Sequence, residues 1–213
     1  MRAVRTSVAG VLLAAGEGSR FGQPKALVML NGLTLAERGV AMLRSGGADP
    51  VLVITGAAPV GIPGISAVHN EHYRTGMGSS LRVALHALSA PPADAGDATA
   101  PPLAPDAGAV VVALADQPLI GPEAVTRLIA AYRGGASVAV AAYQGRPRNP
   151  VLLAREHWPE VIALATGDQG ARAFLRSRPE LVTLVECGDV GRPDDIDTAA
   201  DLERIAGQAL PEA

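Results

Sequence analysis

Residues 8–25 of this 213-residue chain read VAGVLLAAGEGSRFGQPK. The first eight letters are small or apolar, which is typical of a strand buried on both faces of a parallel sheet. Glycines follow at positions 16, 18 and 22, and the stretch ends at Lys25, the only lysine among the chain's 18 Lys and Arg residues. We therefore predict a buried first strand and, after it, a glycine-rich loop that carries a single ammonium group.

Apolar runs alternate with helical patterns along the chain, which favours an α/β fold with a Rossmann-like, doubly wound, mostly parallel sheet in three layers, α/β/α. The predicted strands cover residues 8–14, 51–55, 65–70, 109–114, 137–143, 151–154 and 181–186. The predicted helices are one between a capping box at 34–37 and the glycines at 46–47, and others over 78–89, 122–133, 155–165, 170–177 and 198–209. The Pro- and Ala-rich residues 91–107 are predicted to form a flexible surface insertion.

The composition bounds the domain count and excludes several classes of function. A length of 213 residues suits one domain, 1–213, and 48% hydrophobic against 18% charged residues indicates a globular chain. A net charge of −3 with 3% aromatic residues argues against nucleic-acid binding. No apolar run approaches about 20 residues, so we expect no membrane span and a cytoplasmic location. The single cysteine, Cys187, can form neither an internal disulfide nor a cysteine-based metal site.

The glycine loop matches neither of two common phosphate-binding patterns. Its spacing, G-x-G-x-x-x-G, differs from the dinucleotide pattern G-x-G-x-x-G, and Pro24 interrupts the helix that should begin there. The Walker pattern fails because Lys25 follows proline rather than glycine. The chemistry still suits phosphates, because glycines let backbone N–H groups approach anionic oxygens, Arg20 offers a forked guanidinium and Lys25 a point charge. The sequence predicts a triphosphate cradle, with an ordinary strand-to-helix loop carrying solvated charges as the alternative.

These residues resemble the signature of the MobA-like nucleotidyltransferases, which is commonly written L-A-[AG]-G-x-x-x-R-[FM]-G-x-x-K. The resemblance extends from about residue 8 to residue 202. Because it has alanine at position 15, where the guanylyltransferase branch usually has glycine, the chain is most similar to the molybdenum cofactor cytidylyltransferase branch. It implies a fold of the nucleotide-diphospho-sugar transferase type and CTP as the donor. The nucleotide-binding residues that we carry over or derive are Leu13, Ala14, Ala15, Gly16, Gly18, Arg20, Phe21, Gly22, Lys25, Asn70, Gly78, Ser79, Ser80 and Asp116.

Two aspartates are candidates for holding Mg²⁺. Asp116 comes just after the predicted strand 109–114, and ligands of open α/β sheets bind outside the carboxyl ends of the strands. A carboxylate there is placed to hold Mg²⁺ against phosphates, although a turn aspartate that caps the next helix is the alternative. Asp197 resembles the family's second metal carboxylate, and helix capping is again the alternative. Both can hold if Thr198 caps the helix while Asp197 binds the metal, and Asp195 is the fallback ligand.

Three further segments also resemble the family. Residues 70–81 resemble N-x-x-[WY]-x-x-G-[ML]-x-x-S-[LV], and by themselves they indicate either a ligand-facing helix start or plain capping. Residues 144–151 and 167–172 resemble segments on the acceptor side of the family's cleft. The acceptor-binding residues that this resemblance implies are Arg146, Asn149, Gly167, Asp168, Gly170 and Arg172.

The predicted function is Mg²⁺-dependent nucleotidyl transfer with release of pyrophosphate, in which Arg20, Lys25 and Asp116 are catalytic. The resemblance implies transfer of CMP to the terminal phosphate of molybdopterin, with a molybdenum hydroxylase as client. Three alternatives stay open. The enzyme could use another nucleoside triphosphate or a sugar phosphate acceptor. Some proteins similar to this branch are described as reductases, so an NAD(P)-dependent reductase is the second. A non-catalytic protein that delivers the cofactor is the third.

Overall fold

A seven-stranded, mostly parallel sheet runs through the centre of the computed structural model, which describes residues 7–89 and 103–208. The strands are β1 (Val8–Leu13), β2 (Met29–Leu30), β3 (Leu33–Thr34), β4 (Val51–Thr55), β5 (Ser66–His69), β6 (Ala109–Leu114), β7 (Val138–Tyr143), β8 (Arg146–Ala154) and β9 (Val182–Glu186). The order across the sheet is β5-β4-β1-β6-β8-β7-β9, while β2 and β3 form a separate hairpin. β8 runs antiparallel to both of its neighbours, and the other adjacent pairs are parallel.

Helices cover both faces of this sheet. They are α1 (Leu35–Ser45), α2 (Met77–Ser89), α3 (Pro122–Arg133), α4 (Trp158–Leu164), α5 (Arg172–Ser177) and α6 (Ala199–Ala206). Apolar side chains of α1 and α3 share one core cluster with one face of β1 and β6, and those of α2, α4 and α5 share a second cluster with the other face. β1 is buried along its whole length because it lies between these two layers. The predicted doubly wound α/β/α fold is confirmed.

The ends of α1 follow the signals in the sequence. The backbone N–H of Glu37 donates to the Thr34 hydroxyl at 3.1 Å, and the Glu37 carboxylate accepts from the backbone N–H of Thr34 at 2.7 Å. This reciprocal pair is the predicted capping box. At the other end Gly46 is the C-cap residue, so the predicted boundaries of this helix are confirmed.

Two hairpins go beyond the sequence prediction. β8 begins at Arg146 rather than at residue 151, because Gln144 and Gly145, with φ of 54° and 74°, form a two-residue turn that pairs it with β7. The β2–β3 hairpin was not predicted, although Asn31 and Gly32, with φ of 50° and 86°, are a typical turn pair. A turn of this kind matches the right-handed twist of the two strands that it joins.

The structure describes the last five residues, 103–107, of the predicted insertion at 91–107. Ala104 and Ala107 are 5% and 2% exposed and belong to the core cluster beneath α2, whereas Leu103, Pro105 and Asp106 are exposed, so residues 103–107 form a surface segment that two alanines anchor to the core. Leu103 donates a backbone hydrogen bond to Ala87, which ties this segment to α2. The rest of the predicted insertion lies outside the described residues. In the part of the chain that the structure describes, no helix is long and apolar enough to cross a membrane.

Candidate active site

A cavity of about 420 Å³ opens at the edge of the sheet where β1 and β6 end. This volume is typical of sites for small molecules, and the position is the one expected for ligands of an open α/β sheet. Its lining comes from the loop after β1, from the start of α2 and from the end of β6, with one aspartate from each of two later segments. The lining residues are Leu13, Ala14, Ala15, Gly16, Gly18, Ser19, Arg20, Lys25, Ala26, Tyr73, Gly76, Met77, Ser80, Leu114, Ala115, Asp116, Asp168 and Asp197.

Two glycines of the loop after β1 lack a side chain for different structural reasons. Gly18 has φ of +64°, and a Cβ atom there would lie 1.9 Å from the carbonyl oxygen of Gln23. The same Gly18 accepts two backbone hydrogen bonds, from Phe21 and Gly22, so its conformation shapes the turn. At Gly16 a Cβ atom would meet no heavy atom within 4 Å. The missing side chain of Gly16 therefore leaves space in the cavity rather than in the protein interior.

Lys25 connects two carboxylates at the floor of this cavity. Its ammonium group lies 2.9 Å from Asp116 Oδ2 and 2.5 Å from Asp197 Oδ1. The side chain is 17% exposed, against 26% for Asp116 and 45% for Asp197. Desolvation opposes the charge on Lys25, but the charges and hydrogen bonds of the two carboxylates outweigh it, so the pKa of Lys25 lies above its ordinary value. Arg20, 81% exposed, adds a longer contact of 3.8 Å to Asp197.

Backbone hydrogen bonds bring Asp197 opposite Asp116. Ile196 donates to the carbonyl of Asp116 at 2.9 Å, and Arg192 donates to the carbonyl of Leu119 at 3.0 Å. The segment before α6 is thereby laid along the loop that follows β6. Ile196 is also fully buried, so its neighbour Asp197 is held in place beside that loop.

Thr198, rather than its neighbour Asp197, caps α6. The Thr198 hydroxyl accepts from the N–H of Asp201 at 3.2 Å, and the Asp201 carboxylate accepts from the N–H of Thr198 at 2.9 Å, which is a complete capping box. The carboxylate of Asp197 is thus free of this task. Asp195, the fallback ligand, accepts a hydrogen bond from the Gln117 amide at 2.9 Å and is not among the described residues that line the cavity.

The donor set at Asp116 and Asp197 suits a divalent cation that is shared with a substrate. Within the described ranges 7–89 and 103–208, no group of three or more His, Cys, Asp or Glu side chains forms a complete protein cage. Mg²⁺ is usually bound through one or two carboxylates plus substrate phosphates and water, so a pair of hard oxygen donors beside an open cavity suffices. These two carboxylates are the residues that would hold it.

Asn70 has a structural position rather than one on the cavity wall. It is 1% exposed, and its amide donates to the hydroxyls of Ser79 at 2.8 Å and Ser80 at 3.0 Å. Its side-chain oxygen accepts from the backbone N–H of His72. Ser79 in turn donates to the carbonyls of His72 and Gly76, and only Ser80 of these side chains lines the cavity. Of the four residues of this segment that were predicted to bind the nucleotide, Asn70, Gly78, Ser79 and Ser80, it is Ser80 that lines the cavity.

Glycines at the start of α2 allow a second loop to approach it. A Cβ atom on Gly78 would lie 2.7 Å from the backbone of Ala165 and Thr166, and one on Gly76 would lie 2.4 Å from Gly167. Gly78 is thus a packing position rather than a cavity residue. The close approach carries Asp168, from the loop after α4, to the cavity wall.

The other predicted acceptor residues surround the cavity more widely. Arg146 and Asn149 lie on β8, whose start is at the sheet edge where β6 ends, because β6 and β8 are antiparallel. Arg172 begins α5 and is exposed. Neither these three nor Gly167 and Gly170 are among the described residues that line the cavity, so of the predicted acceptor set only Asp168 does.

A carboxylate outside the predicted set holds the hairpin that carries Arg146. Glu186, at the end of β9, accepts backbone hydrogen bonds from Gln144, Gly145 and Gly188, each at 3.0 Å. The hydrogen bonds from Gly145 and Gln144 lower the pKa of Glu186. The tip of the β7–β8 hairpin is thus tied to the neighbouring edge strand.

Several lining residues were not predicted, and two residues predicted in the loop after β1 are not among the described residues that line the cavity. Phe21 packs against the cluster under α6 that includes Leu30 and Ile196, and Gly22 is not among the lining residues. Tyr73 and Met77 do line the cavity, and the family motif in 70–81 could have indicated both. The remaining lining residues that were not predicted are Ser19, Ala26, Gly76, Leu114 and Ala115.

Comparison with known proteins places this site in a family. The MobA-like NTP transferase domain matches residues 10–182. A relative from Paenarthrobacter nicotinovorans named nicotine blue oxidoreductase is 34% identical over 212 residues, which cover 93% of this chain and 96% of the relative. A protein from Opitutus terrae named probable molybdenum cofactor guanylyltransferase is 36% identical over 91 residues, or 42% of this chain and 45% of that protein.

Solved structures show the same fold over almost the whole chain. A homologue of Mycobacterium tuberculosis Rv0371c from Mycobacterium sp. strain JC1 has 33% identity and a TM-score of 0.77, and the alignment covers 95% of this chain and 96% of the homologue. Rv0371c from M. tuberculosis H37Rv, in complex with manganese, has 25% identity and a TM-score of 0.71, with 95% of this chain and 100% of that chain covered. The nucleotide-diphospho-sugar transferase type of fold is confirmed. The chain therefore belongs to the MobA-like NTP transferase family and is a nucleotidyltransferase of that family.

Proposed function

We propose that this enzyme transfers CMP from CTP to the terminal phosphate of a molybdopterin-type cofactor, in a reaction that depends on Mg²⁺. The observation that carries the proposal is the convergence of Lys25, Asp116 and Asp197 at one end of a glycine-lined cavity. These residues are far apart in the sequence, and the family relationship supplies nucleotidyl transfer as the reaction class.

The balance of bonds in this reaction sets what the residues have to do. An oxygen of the acceptor phosphate forms a bond to the α-phosphorus of the nucleotide, the bond to the bridging oxygen of the β-phosphate breaks, and pyrophosphate leaves. The attacking oxygen is already anionic, so no residue has to remove a proton from it. The protein contributes mainly by positioning and by neutralising charge.

Each charged group has a proposed place in that step. Asp116 and Asp197 hold the metal, which supplies charge neutralisation at the reacting phosphate when it is bound. Lys25 and Arg20 stabilise the β- and γ-phosphates and the departing pyrophosphate. The open space at Gly16 lets phosphate oxygens approach the backbone, and the Ser80 hydroxyl, which accepts a hydrogen bond from Asn70, is the proposed donor to a substrate oxygen in the same cavity.

The identities of donor and acceptor rest on finer features. Ala15 lines the cavity, is 7% exposed and supports CTP over GTP, as in the branch that has alanine there. The relative named molybdenum cofactor guanylyltransferase supports a molybdopterin-type acceptor. The exposed Arg146 and Arg172 and the half-buried Asn149 are the proposed acceptor contacts beyond the cavity rim. The manganese complex of Rv0371c supports a divalent cation, for which we propose Mg²⁺.

A panel of substrates tests the proposal. CTP, GTP, UTP and ATP are each combined with molybdopterin and with sugar phosphates, and pyrophosphate release is measured with and without Mg²⁺. Asp116→Asn and Lys25→Met should each lower the rate by about 10²–10³, the scale of one lost charge-stabilising contact. The matched control is Asp194→Asn, because this carboxylate lies near Asp197 in the sequence but pairs with Arg192 and Arg204 instead. Near-normal turnover in the Asp116 variant would overturn the assignment.

A reductase is the second candidate, because the relative that matches 93% of this chain at 34% identity is named nicotine blue oxidoreductase. The loop after β1 lacks the dinucleotide spacing, which argues against it. The two functions separate in one assay. Substrate-dependent loss of NAD(P)H absorbance without pyrophosphate release would favour the reductase, and pyrophosphate release without loss of NAD(P)H would favour the transferase.

A further inference from the structure

The ammonium group of Lys25 uses the same carboxylate oxygens that are proposed to hold the metal. Two of its three N–H bonds are directed at Asp116 Oδ2 and Asp197 Oδ1, at 2.9 and 2.5 Å. Mg²⁺ binds oxygen ligands at about 2.0–2.1 Å. A metal ion that contacts both oxygens would therefore come within repulsive distance of a second positive charge in the same place.

The side chain of Lys25 has a second position available to it in the same cavity. Its backbone is fixed in a short helical turn, where the N–H of Val28 donates to the carbonyl of Lys25 at 3.0 Å and the next residue, Ala26, is buried. Beyond that anchor lies a flexible four-carbon stem. Lys25, Gly16 and Ser19 all line one cavity, so the ammonium group can leave the carboxylates for the phosphate side of the cavity without a backbone movement.

We propose that Lys25 and the divalent cation exchange places, so that the cation displaces the ammonium group from the two carboxylates onto the phosphates of the nucleotide. The inference rests on the proposed function, because it takes these carboxylates as the metal ligands. In this exchange Asp116 and Asp197 always have a cationic partner. The metal alone binds weakly, since it has to displace Lys25, and it binds well together with a nucleotide, which gives the displaced ammonium group a new partner. Metal and triphosphate are thus coupled through Lys25 as well as through their own contact.

Binding of Mn²⁺ alone, followed by electron paramagnetic resonance of the free ion, tests the exchange. Lys25→Met removes the competing charge and should bind Mn²⁺ about 5- to 150-fold more tightly than the native protein, the usual range for coupled equilibria. Lys25→Arg keeps the charge and should bind as weakly as the native protein. Arg20→Met removes a cation that is 81% exposed and 3.8 Å from Asp197, and should change the affinity little.

Labelling of the native protein gives a second measurement that needs no variant. Lys25 is the only lysine, so mass spectrometry after treatment with an amine-reactive reagent reports on one side chain, apart from the terminal amine. Its labelling rate should rise with Mn²⁺ concentration and fall again when a non-hydrolysable CTP analogue is added. An unchanged rate while Mn²⁺ binds would overturn the exchange.

The outcomes separate this inference from the proposed function. Equal Mn²⁺ affinity of the native protein and Lys25→Met, or weaker binding by the variant, would refute the exchange and leave the metal site standing. Failure of both proteins to bind Mn²⁺, with each still folded by circular dichroism, would refute the exchange and the metal site together.

Discussion

Replacing Gly16 by alanine should raise the stability of the fold while it lowers nucleotide turnover. A Cβ atom at this position meets no protein atom within 4 Å, and its φ lies outside the left-handed region, so the folded chain accepts it. A glycine-to-alanine change at such a position stabilises a protein by about 0.4–1 kcal/mol, because the unfolded chain loses freedom. At about 2–4 °C for each kcal/mol in a domain of this size, the melting temperature should rise by roughly 1–4 °C.

The same methyl group should impair the reaction. Gly16 lines the cavity, and the added carbon would occupy the space in which we place phosphate oxygens. A displacement of reacting groups by about 1 Å can cost about 10²-fold in rate. We therefore expect kcat/KM for CTP, measured as Mg²⁺-dependent pyrophosphate release, to fall by about that factor.

Two other glycines provide the controls. Gly18→Ala should lower the stability of the fold, since its Cβ would lie 1.9 Å from a carbonyl oxygen at a φ of +64°. The strain of about 1–3 kcal/mol should lower the melting temperature by roughly 2–12 °C. Gly61 also has open space around it and is not among the lining residues, so Gly61→Ala should stabilise the protein without loss of turnover. Normal turnover in a folded Gly16→Ala protein would refute the idea that phosphates approach this backbone.

Three further predictions concern residues around the site. Asn70→Ala leaves the buried hydroxyl of Ser79 without its amide partner, and should lower the free energy of unfolding, measured by urea denaturation, by about 1–3 kcal/mol. Unchanged stability together with lost nucleotide binding would make Asn70 a direct ligand instead. Hydrogen bonds from Thr198 and Arg204 lower the pKa of Asp201 from 3.8 to about 2, so this carboxylate stabilises the fold above about pH 4 and ceases to do so as the pH falls towards 2. The melting temperature of Asp201→Asn should therefore depend less on pH in that window than the melting temperature of the native protein. The same pH dependence in both proteins would contradict the assignment. Glu186→Gln places an amide donor against backbone N–H groups at the hairpin tip, and should raise KM for the acceptor severalfold while KM for CTP stays the same; equal changes in both would indicate a general loss of structure.

The sheet and its helices could be predicted because their signals are local. β1, β4 and β6 are continuous apolar runs, and α1 has both a capping box and a terminal glycine in the sequence. The missed elements were short or changed direction at a turn. β8 was predicted only over its apolar half, because the Gln144-Gly145 turn is a weak signal and Arg146 and Asn149 read as a polar loop.

The residues of the candidate site were predictable one at a time, from motifs, but their relationships were not. The sequence shows Asn70, Ser79 and Ser80 as equivalent polar groups at a helix start. The structure separates them, because a buried amide satisfies two hydroxyls and only Ser80 reaches the cavity wall. A motif records which residue types recur at a spacing, and burial decides which of them a ligand can touch.

The sequence by itself determined an α/β chain with one lysine at the end of a glycine loop and aspartates at two distant places, since apolar periodicity and turn residues act over a few neighbours. Only the tertiary structure decided that Lys25 lies between Asp116 and Asp197, which are 91 and 172 residues away from it. The physical reason is that the segment before α6 is laid across the end of β6 by long-range backbone hydrogen bonds, from Ile196 to Asp116 among others. Contacts of this kind depend on how layers pack and leave no periodic trace in the chain.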